Sequence, residues 1–137
     1  MAKKSKKGVT SKAKKKTAVA RASIRAGRGR VTINKRALET IEPSYLRTFI
    51  AEPLIIAGEI AKKVDIEITV RGGGFMGQAV SARSAIAKAL VAYTKDKDLE
   101  RRFKEYDRLL LVDDSRRKES KKPLGRGARA KKQKSKR

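Results

Sequence analysis

The sequence predicts an α+β fold of two layers, with helices on one face of a four-stranded mixed sheet. Three observations predict it. Residues 17–26 and 64–71 alternate apolar and polar side chains with the period of a half-buried strand. Residues 79–93 carry an apolar stripe with helical spacing. The elements run strand, strand, helices, strand, helix, helix, strand, an order that suits helices segregated to one side of a sheet.

The elements follow in order. Residues 1–16 read as a basic N-terminal extension, with eight Lys, Val9 and a few Ala, too little apolar surface for an amphipathic helix. In the first strand Ala18, Ala20, Ala22, Ile24 and Ala26 alternate with Val19, Arg21, Ser23 and Arg25. Gly27-Arg28-Gly29 signals a turn, after which Val31 and Ile33 resume the alternation. A two-residue loop at Arg28-Gly29 would pair Ala26 with Val31 and Ile24 with Ile33, giving a hairpin with one apolar and one basic side.

Residues 37–63 read as helical. Pro43 and Pro53 each suit the first turn of a new helix and interrupt a single long one. Val64, Ile66, Ile68 and Val70 then alternate with Asp65, Glu67, Thr69 and Arg71 as a strand. Beyond Gly72–Gly77, a helix of about 18 residues carries Ala79, Ala82, Ile86, Ala89, Leu90 and Tyr93 on one stripe. Its alanines allow close approach to a sheet. Asp96 or Asp98 can cap a last helix whose Leu99, Phe103 and Tyr106 share a face. Leu109–Val112 reads as a buried fourth strand. Residues 17–114 make one domain of ordinary size. Residues 115–137 offer Leu124 and a few Ala to bury, so they are expected to lack order without a partner.

Charge is concentrated at the ends. The chain of 137 residues has 38 Lys plus Arg against 14 Asp plus Glu, a formal charge of +24. Residues 1–16 and 115–137 together hold +19 of this, leaving +5 on the middle. A nearly ordinary domain thus carries two cationic arms, and Arg21, Arg25 and Arg30 extend the excess onto a folded face. Surfaces of this kind gain free energy by releasing counterions from polyphosphate, which makes nucleic acid the expected partner. With three Phe, three Tyr and no Trp, mostly on predicted buried faces, the chain suits a reader of backbone and shape rather than a base-stacking platform.

Other classes fit less well. The chain has no His and no Cys, which excludes disulfides, imidazole or thiolate catalysis and the usual zinc ligands. Its apolar runs fall far short of the ~20 residues that span a bilayer. No apolar segment follows the N-terminal lysines, so no secretory signal and no membrane partner are expected. Gly72, Gly74 and Gly77 spell G-x-G-x-x-G between a strand and a helix, but the surrounding βαβ periodicity of a dinucleotide fold is missing. Two readings stay beside it: a turn whose glycines supply positive φ, and backbone amides approaching a phosphate at a helix start. Asp65/Glu67 and Asp113-Asp114 are acid pairs without a pocket signature, the first expected to be solvated. The chain is therefore expected to be no enzyme and to need no cofactor or metal. A DNA-compacting protein and a small nucleotide-using enzyme are the competing hypotheses.

The residues also carry a family resemblance. Lys16-Thr17-Ala18-Val19-Ala20-Arg21-Ala22, Gly27-Arg28-Gly29 with Asn34-Lys35-Arg36, Pro53-Leu54, Gly72-Gly73-Gly74 with Gly77-Gln78-Ala79, Arg83 with Ile86–Leu90, Asp114-Ser115-Arg116 and the closing Gln133–Arg137 occur in order. Together they resemble the small-subunit ribosomal protein S-nine family from about Thr17 to Arg137. Glu119-Ser120 and Lys134 look closer to its archaeal and eukaryotic members than to bacterial ones. The resemblance implies a fold like the second domain of ribosomal protein S-five, with a left-handed βαβ crossover. It further implies a cytoplasmic, ribosomal location in the head of the small subunit, with ribosomal RNA, peptidyl-site tRNA and neighbouring ribosomal proteins as partners.

Ribosomal RNA would then meet Arg21, Arg25, Arg28, Arg30, Lys35 and Arg36 of the hairpin. It would also meet Arg71, Gly72, Gly73, Gly74 and Gln78 of the glycine turn, and Arg83 beyond it. From the tail, Arg116, Arg117, Lys121, Lys122, Arg126 and Arg129 would join them. Lys134, Ser135, Lys136 and Arg137 would face the tRNA anticodon stem-loop. The tail of 23 residues, fully extended, reaches at most roughly 75 Å, enough to leave the domain and enter a cleft.

Overall fold

The computed structural model describes residues 8–130. It contains strands β1 (Val9–Lys15), β2 (Ala18–Ala26), β3 (Val31–Ile33), β4 (Arg36–Ala37) and β5 (Val64–Arg71). Its helices are α1 (Ser44–Ala57), α2 (Phe75–Thr94) and α3 (Lys97–Tyr106). The strands form one mixed sheet in the order β1-β2-β5-β3-β4, with β3 and β5 parallel and the other neighbours antiparallel. The helices form the second layer, so the α+β two-layer architecture holds, with five strands rather than four.

Three expectations about the elements are corrected. β2 and β3 do not form a hairpin, because β5 lies between them. Ala26 pairs with Val64, and Val31 pairs with Ile66, in place of each other. The reason lies in β5, whose four inward side chains Val64, Ile66, Ile68 and Val70 are all buried and favour the centre of the sheet. The connection 27–30 steps across the start of β5 and is bonded to it: Gly27 N–H donates to Lys63, Gly29 N–H to Val64, and Ile66 N–H to Arg30. The expected faces survive the change of partner, since Ala18, Ala20, Ala22 and Ile24 are buried while Arg21 and Arg25 are exposed.

The second correction concerns Pro53, which lies inside α1 and does not start a new helix. It falls on the buried stripe Leu46, Ile50, Pro53, Ala57, at i, i+4, i+7 and i+11. Burial of that stripe offsets the one helical hydrogen bond the missing N–H forfeits. Pro43 stands at the N-cap, as its fixed φ suits. Third, Leu109–Val112 is no strand. Arg108–Leu110 is a 3-10 turn, because the Asp107 carboxylate accepts the Leu109 N–H at 2.9 Å and the Asp107 carbonyl accepts from Leu110. Only Leu110 of the four is fully buried.

β1 is an addition, lying in the stretch read as an extension. Its Ala13 joins Ala18, Ala20 and Ala22 as a floor of small, fully buried side chains under α2. α2 answers with Ala82, Ala85 and Ala89, so helix and sheet lie close. Burial on α2 reaches nearly all round, taking in Ser81 and Ser84, because the sheet, α1, α3 and the 3-10 turn all pack on it. Asp96 caps α3 by accepting the Asp98 N–H at 2.9 Å. Leu99 and Phe103 of that helix are buried, while Tyr106 is exposed. No helix among the described residues is long and apolar enough to cross a membrane.

Candidate nucleic-acid interface

The helix layer covers one face of the sheet and leaves the other open. Alternation places Lys12 and Lys14 of β1, Arg21 and Arg25 of β2, and Asp65, Glu67, Thr69 and Arg71 of β5 on that open face. Register sets them in rows: Lys12, Arg21 and Thr69 in one, Lys14, Val19 and Arg71 in the next. These residues, with Thr17 and Gly72, line an open groove of about 620 Å³. Among the described residues it holds four cations and no carboxylate. Lys12 and Arg21 stand directly opposite across the β1–β2 pair, where like charges are destabilising. A fold that keeps such a pair exposed gains by neutralising it with an anion.

The other half of the face is mixed in sign. Arg25 is paired with Asp65 across β2–β5, and a smaller depression there is lined by Arg25, Arg30, Thr32, Asp65, Ile66 and Glu67. Asp65, expected to be merely solvated, organises the 27–30 connection. Its Oδ1 accepts the N–H of Arg28 at 2.9 Å and of Arg30 at 3.0 Å. These two amides hold its carboxyl below the usual carboxylate range. A Cβ at residue 27 would lie 2.1 Å from its Cγ, so any side chain there would push the carboxylate off these two amides. The backbone of the connection is thus fixed by Asp65, while the Arg28 and Arg30 side chains stay exposed.

At the far edge, β3 and β4 join through Asn34 and Lys35, both at positive φ (49° and 68°), the geometry of a two-residue hairpin turn. Asn34 pairs with the β5 backbone, its Oδ1 accepting the Val70 N–H at 2.9 Å and its Nδ2 donating to the Val70 carbonyl. Lys35 and Arg36 are exposed there.

The glycine turn after β5 has a structural reason for its composition. Gly72 and Gly73 lie at φ 78° and 68°, and a Cβ on Gly72 would come 2.6 Å from the Thr17 carbonyl oxygen. Gly74 is the N-cap of α2 at φ −90°. Gln78 turns back to donate from Nε2 to the Gly72 carbonyl at 3.2 Å. Gly72 brings this turn to the cationic groove.

Arg83 is placed apart from all of these. It is buried on α2, with Nη2 2.7 Å from Glu52 of α1 and Nη1 donating to Asp107 at 3.0 Å. Its guanidinium lies 4.7 Å from the Phe49 ring centroid and 5.9 Å from that of Tyr106. Such a residue joins α1, α2 and the end of α3; it does not belong to the open face.

The root of the tail is pinned to β1. Lys15 and Asp114 form a parallel bridge and an ion pair, and Lys88 of α2 pairs with Asp113, which also accepts the Lys14 N–H. Ser84 Oγ donates to the Leu109 carbonyl at 2.9 Å. Arg116 makes a two-pronged contact with Asp114, which, with Lys15, holds that carboxyl far below its usual value. Beyond this root, residues 117–130 carry no helix or strand. Lys121, Lys122 and Arg126 are exposed, and Arg129 pairs with Glu119 at 2.9 Å. Lys134, Ser135, Lys136 and Arg137 lie outside the described residues.

The structure therefore gathers Arg21, Arg71 and Gly72 at one groove, and Arg25, Arg28 and Arg30 around Asp65. Lys12 and Lys14 were missing from the expected site. Their signal was present in the alternation of Val9, Ser11, Ala13 and Lys15 with Thr10, Lys12 and Lys14, obscured by the scarcity of apolar side chains.

The profile of the family described as Ribosomal protein S9/S16 matches residues 13–137. The chain is also 50% identical over 127 residues to the small ribosomal subunit protein uS9 of Methanothrix thermoacetophila, covering 93% of this chain and 96% of that protein.

Proposed function

This chain belongs to the ribosomal protein S9/S16 family, and from that premise we propose that its open sheet face seats the phosphate backbone of ribosomal RNA in the head of the small subunit. As a uS9-like protein it is a constituent of the small ribosomal subunit and works in translation, on cytoplasmic ribosomes. The observation that carries the RNA reading is the groove where Lys12, Lys14, Arg21 and Arg71 converge with no carboxylate among the described residues that line it. Four cations on three neighbouring strands have their backbone positions fixed by the sheet, so only their side chains need ordering on binding. The hydroxyls of Thr17 and Thr69 add neutral hydrogen-bonding groups between them. Arg25, Arg30, Lys35 and Arg36 extend the contact across the sheet, and Arg116, Arg117, Lys121, Lys122, Arg126 and Arg129 continue it along the tail. Gly72–Gly74 and Gln78 shape the turn at the groove's end, and Arg83 supports the fold behind it. Neighbouring ribosomal proteins complete the surroundings.

The pinned tail root supports a second part of the reading: the C-terminal residues reach the peptidyl-site tRNA, with Lys134, Ser135, Lys136 and Arg137 toward its anticodon stem-loop. Binding and presentation of charge are the whole mechanism; no reaction is catalysed and no cofactor enters. Competition at physiological salt between a small-subunit RNA fragment and duplex DNA tests the first part. Preference for the RNA is expected, and equal affinity would instead favour a general DNA-compacting role. For the tail, subunits assembled with a chain lacking residues 132–137 should keep the protein yet hold peptidyl-site tRNA more weakly. Unchanged tRNA retention would remove that assignment.

A further inference from the structure

Away from the cationic face, a second concavity of about 370 Å³ lies between the C-terminal half of α1 and the 28–31 connection. Its floor and walls are apolar: Val31, Ala51, Leu54, Ile55 and Ala61. Arg28 and Lys62 stand at its rim. Ile55 is 70% exposed there, a large apolar side chain with nothing over it among the described residues. Its volume falls near the lower end of the ~300–1,000 Å³ of ligand-sized pockets.

The groove is also built before anything binds. One wall is fixed by the two amide bonds to Asp65 and by the Gly29 N–H bond to Val64. Gly29 packs so closely on the turn after α1 that a Cβ would lie 3.2 Å from Lys62 Cα. At the other wall Gly58, at φ +60°, presents no side chain and leaves the end open. A preformed site loses little to ordering when it is filled.

Charge decides the occupant. An RNA backbone would satisfy Arg28 and Lys62 but leave Leu54, Ile55 and Val31 against phosphate. Residues 131–137, Lys-Lys-Gln-Lys-Ser-Lys-Arg, bring no apolar side chain apart from their aliphatic stems and have the same sign as the rim. A second copy would bring another +24 to a cation-rimmed groove. We infer that this groove docks an acidic segment of a neighbouring ribosomal protein, an apolar side chain entering between Ile55 and Val31 while flanking carboxylates meet Arg28 and Lys62. Lys62 has an exposed internal partner, Glu59 at 3.0 Å, which an incoming carboxylate would replace at little cost. The inference rests on the ribosomal reading but uses a surface distinct from the groove of Lys12, Lys14, Arg21 and Arg71, and it reassigns Arg28 from the expected RNA contacts to this partner.

The test places the photo-crosslinking residue p-benzoylphenylalanine at position 55 and assembles the full chain into small subunits. Co-sedimentation is read first; a chain absent from the subunits would overturn the ribosomal reading and this proposal with it. On irradiation, a crosslink is expected to a peptide of another ribosomal protein with a large apolar residue next to Asp or Glu. Combining the crosslinker with Lys62→Glu should cut its yield at least fivefold, and with Lys62→Gln by less, while binding to the RNA fragment stays within twofold. A crosslink to RNA, to a peptide without acidic residues, to a second copy, or to nothing would overturn the proposal. So would a yield indifferent to both Lys62 substitutions.

Discussion

Gly72 and Gly74 stand two residues apart in one turn, yet they permit different things. Gly72→Ala forces a Cβ against the Thr17 carbonyl at a positive φ and should cost about 1–3 kcal/mol in urea unfolding. Gly74→Ala meets open space at φ −90°, and the entropic gain of alanine is opposed by its poorer fit to the N-cap, so the change should stay within about 1 kcal/mol of zero. Arg83→Met would leave Glu52 and Asp107 without their partner and should cost about 3 kcal/mol or more, with the RNA affinity of the folded fraction unchanged. A weakened affinity there, at unchanged stability, would return Arg83 to the RNA contacts. Asp65 sets a pH dependence. Its carboxyl titrates below the 3.8 of the unfolded chain, so its stabilisation is complete above that value and is lost as pH falls through the lower, folded one. Asp65→Asn should therefore be less stable at neutral pH and lose less between about pH 5 and pH 3, as urea midpoints at both would show. At this scale the sequence displayed the residue types and not their partners. Arg83 reads as an RNA contact and Asp65 as a solvated charge until distant elements bring up Glu52, Asp107 and the Arg28 amide.

Among the elements, those with strong apolar periods were legible and those without were not. β5 and α3 follow from spacing alone, and the faces of β2 and β3 were readable because side-chain parity survives a change of neighbour. Which strand lies beside β2 was not readable, since that depends on β5 seeking the centre. β1 was hidden because an edge strand gains from lysines, which deter pairing with other chains but look like a solvated arm. Leu109–Val112 misled in the opposite sense, as an apolar run whose backbone is diverted by the Asp107 side chain. Deletion of residues 1–16 tests what β1 contributes. Amides along β2 should lose hydrogen-exchange protection and the melting temperature should fall, whereas removal of a merely solvated arm would change neither.

For the whole molecule, the candidate face was half visible: its charge could be counted, but its concentration at one groove needed the sheet. Replacing Lys12, Lys14, Arg21 and Arg71 by Gln should flatten the plot of log affinity for the RNA fragment against log salt by up to about four units. The same changes should leave unfolding stability within about 1 kcal/mol, or raise it slightly, because the Lys12–Arg21 repulsion goes with them. An unaltered slope would move the RNA elsewhere. The bridge from Lys15 to Asp114 has a consequence for synthesis. It joins positions 99 residues apart, so β1 acquires this neighbour only after Asp114 has been translated. A nascent polypeptide halted before Asp113 would display an unfinished border, and maturation of the basic tail's mooring must coincide with completion of the domain that carries it.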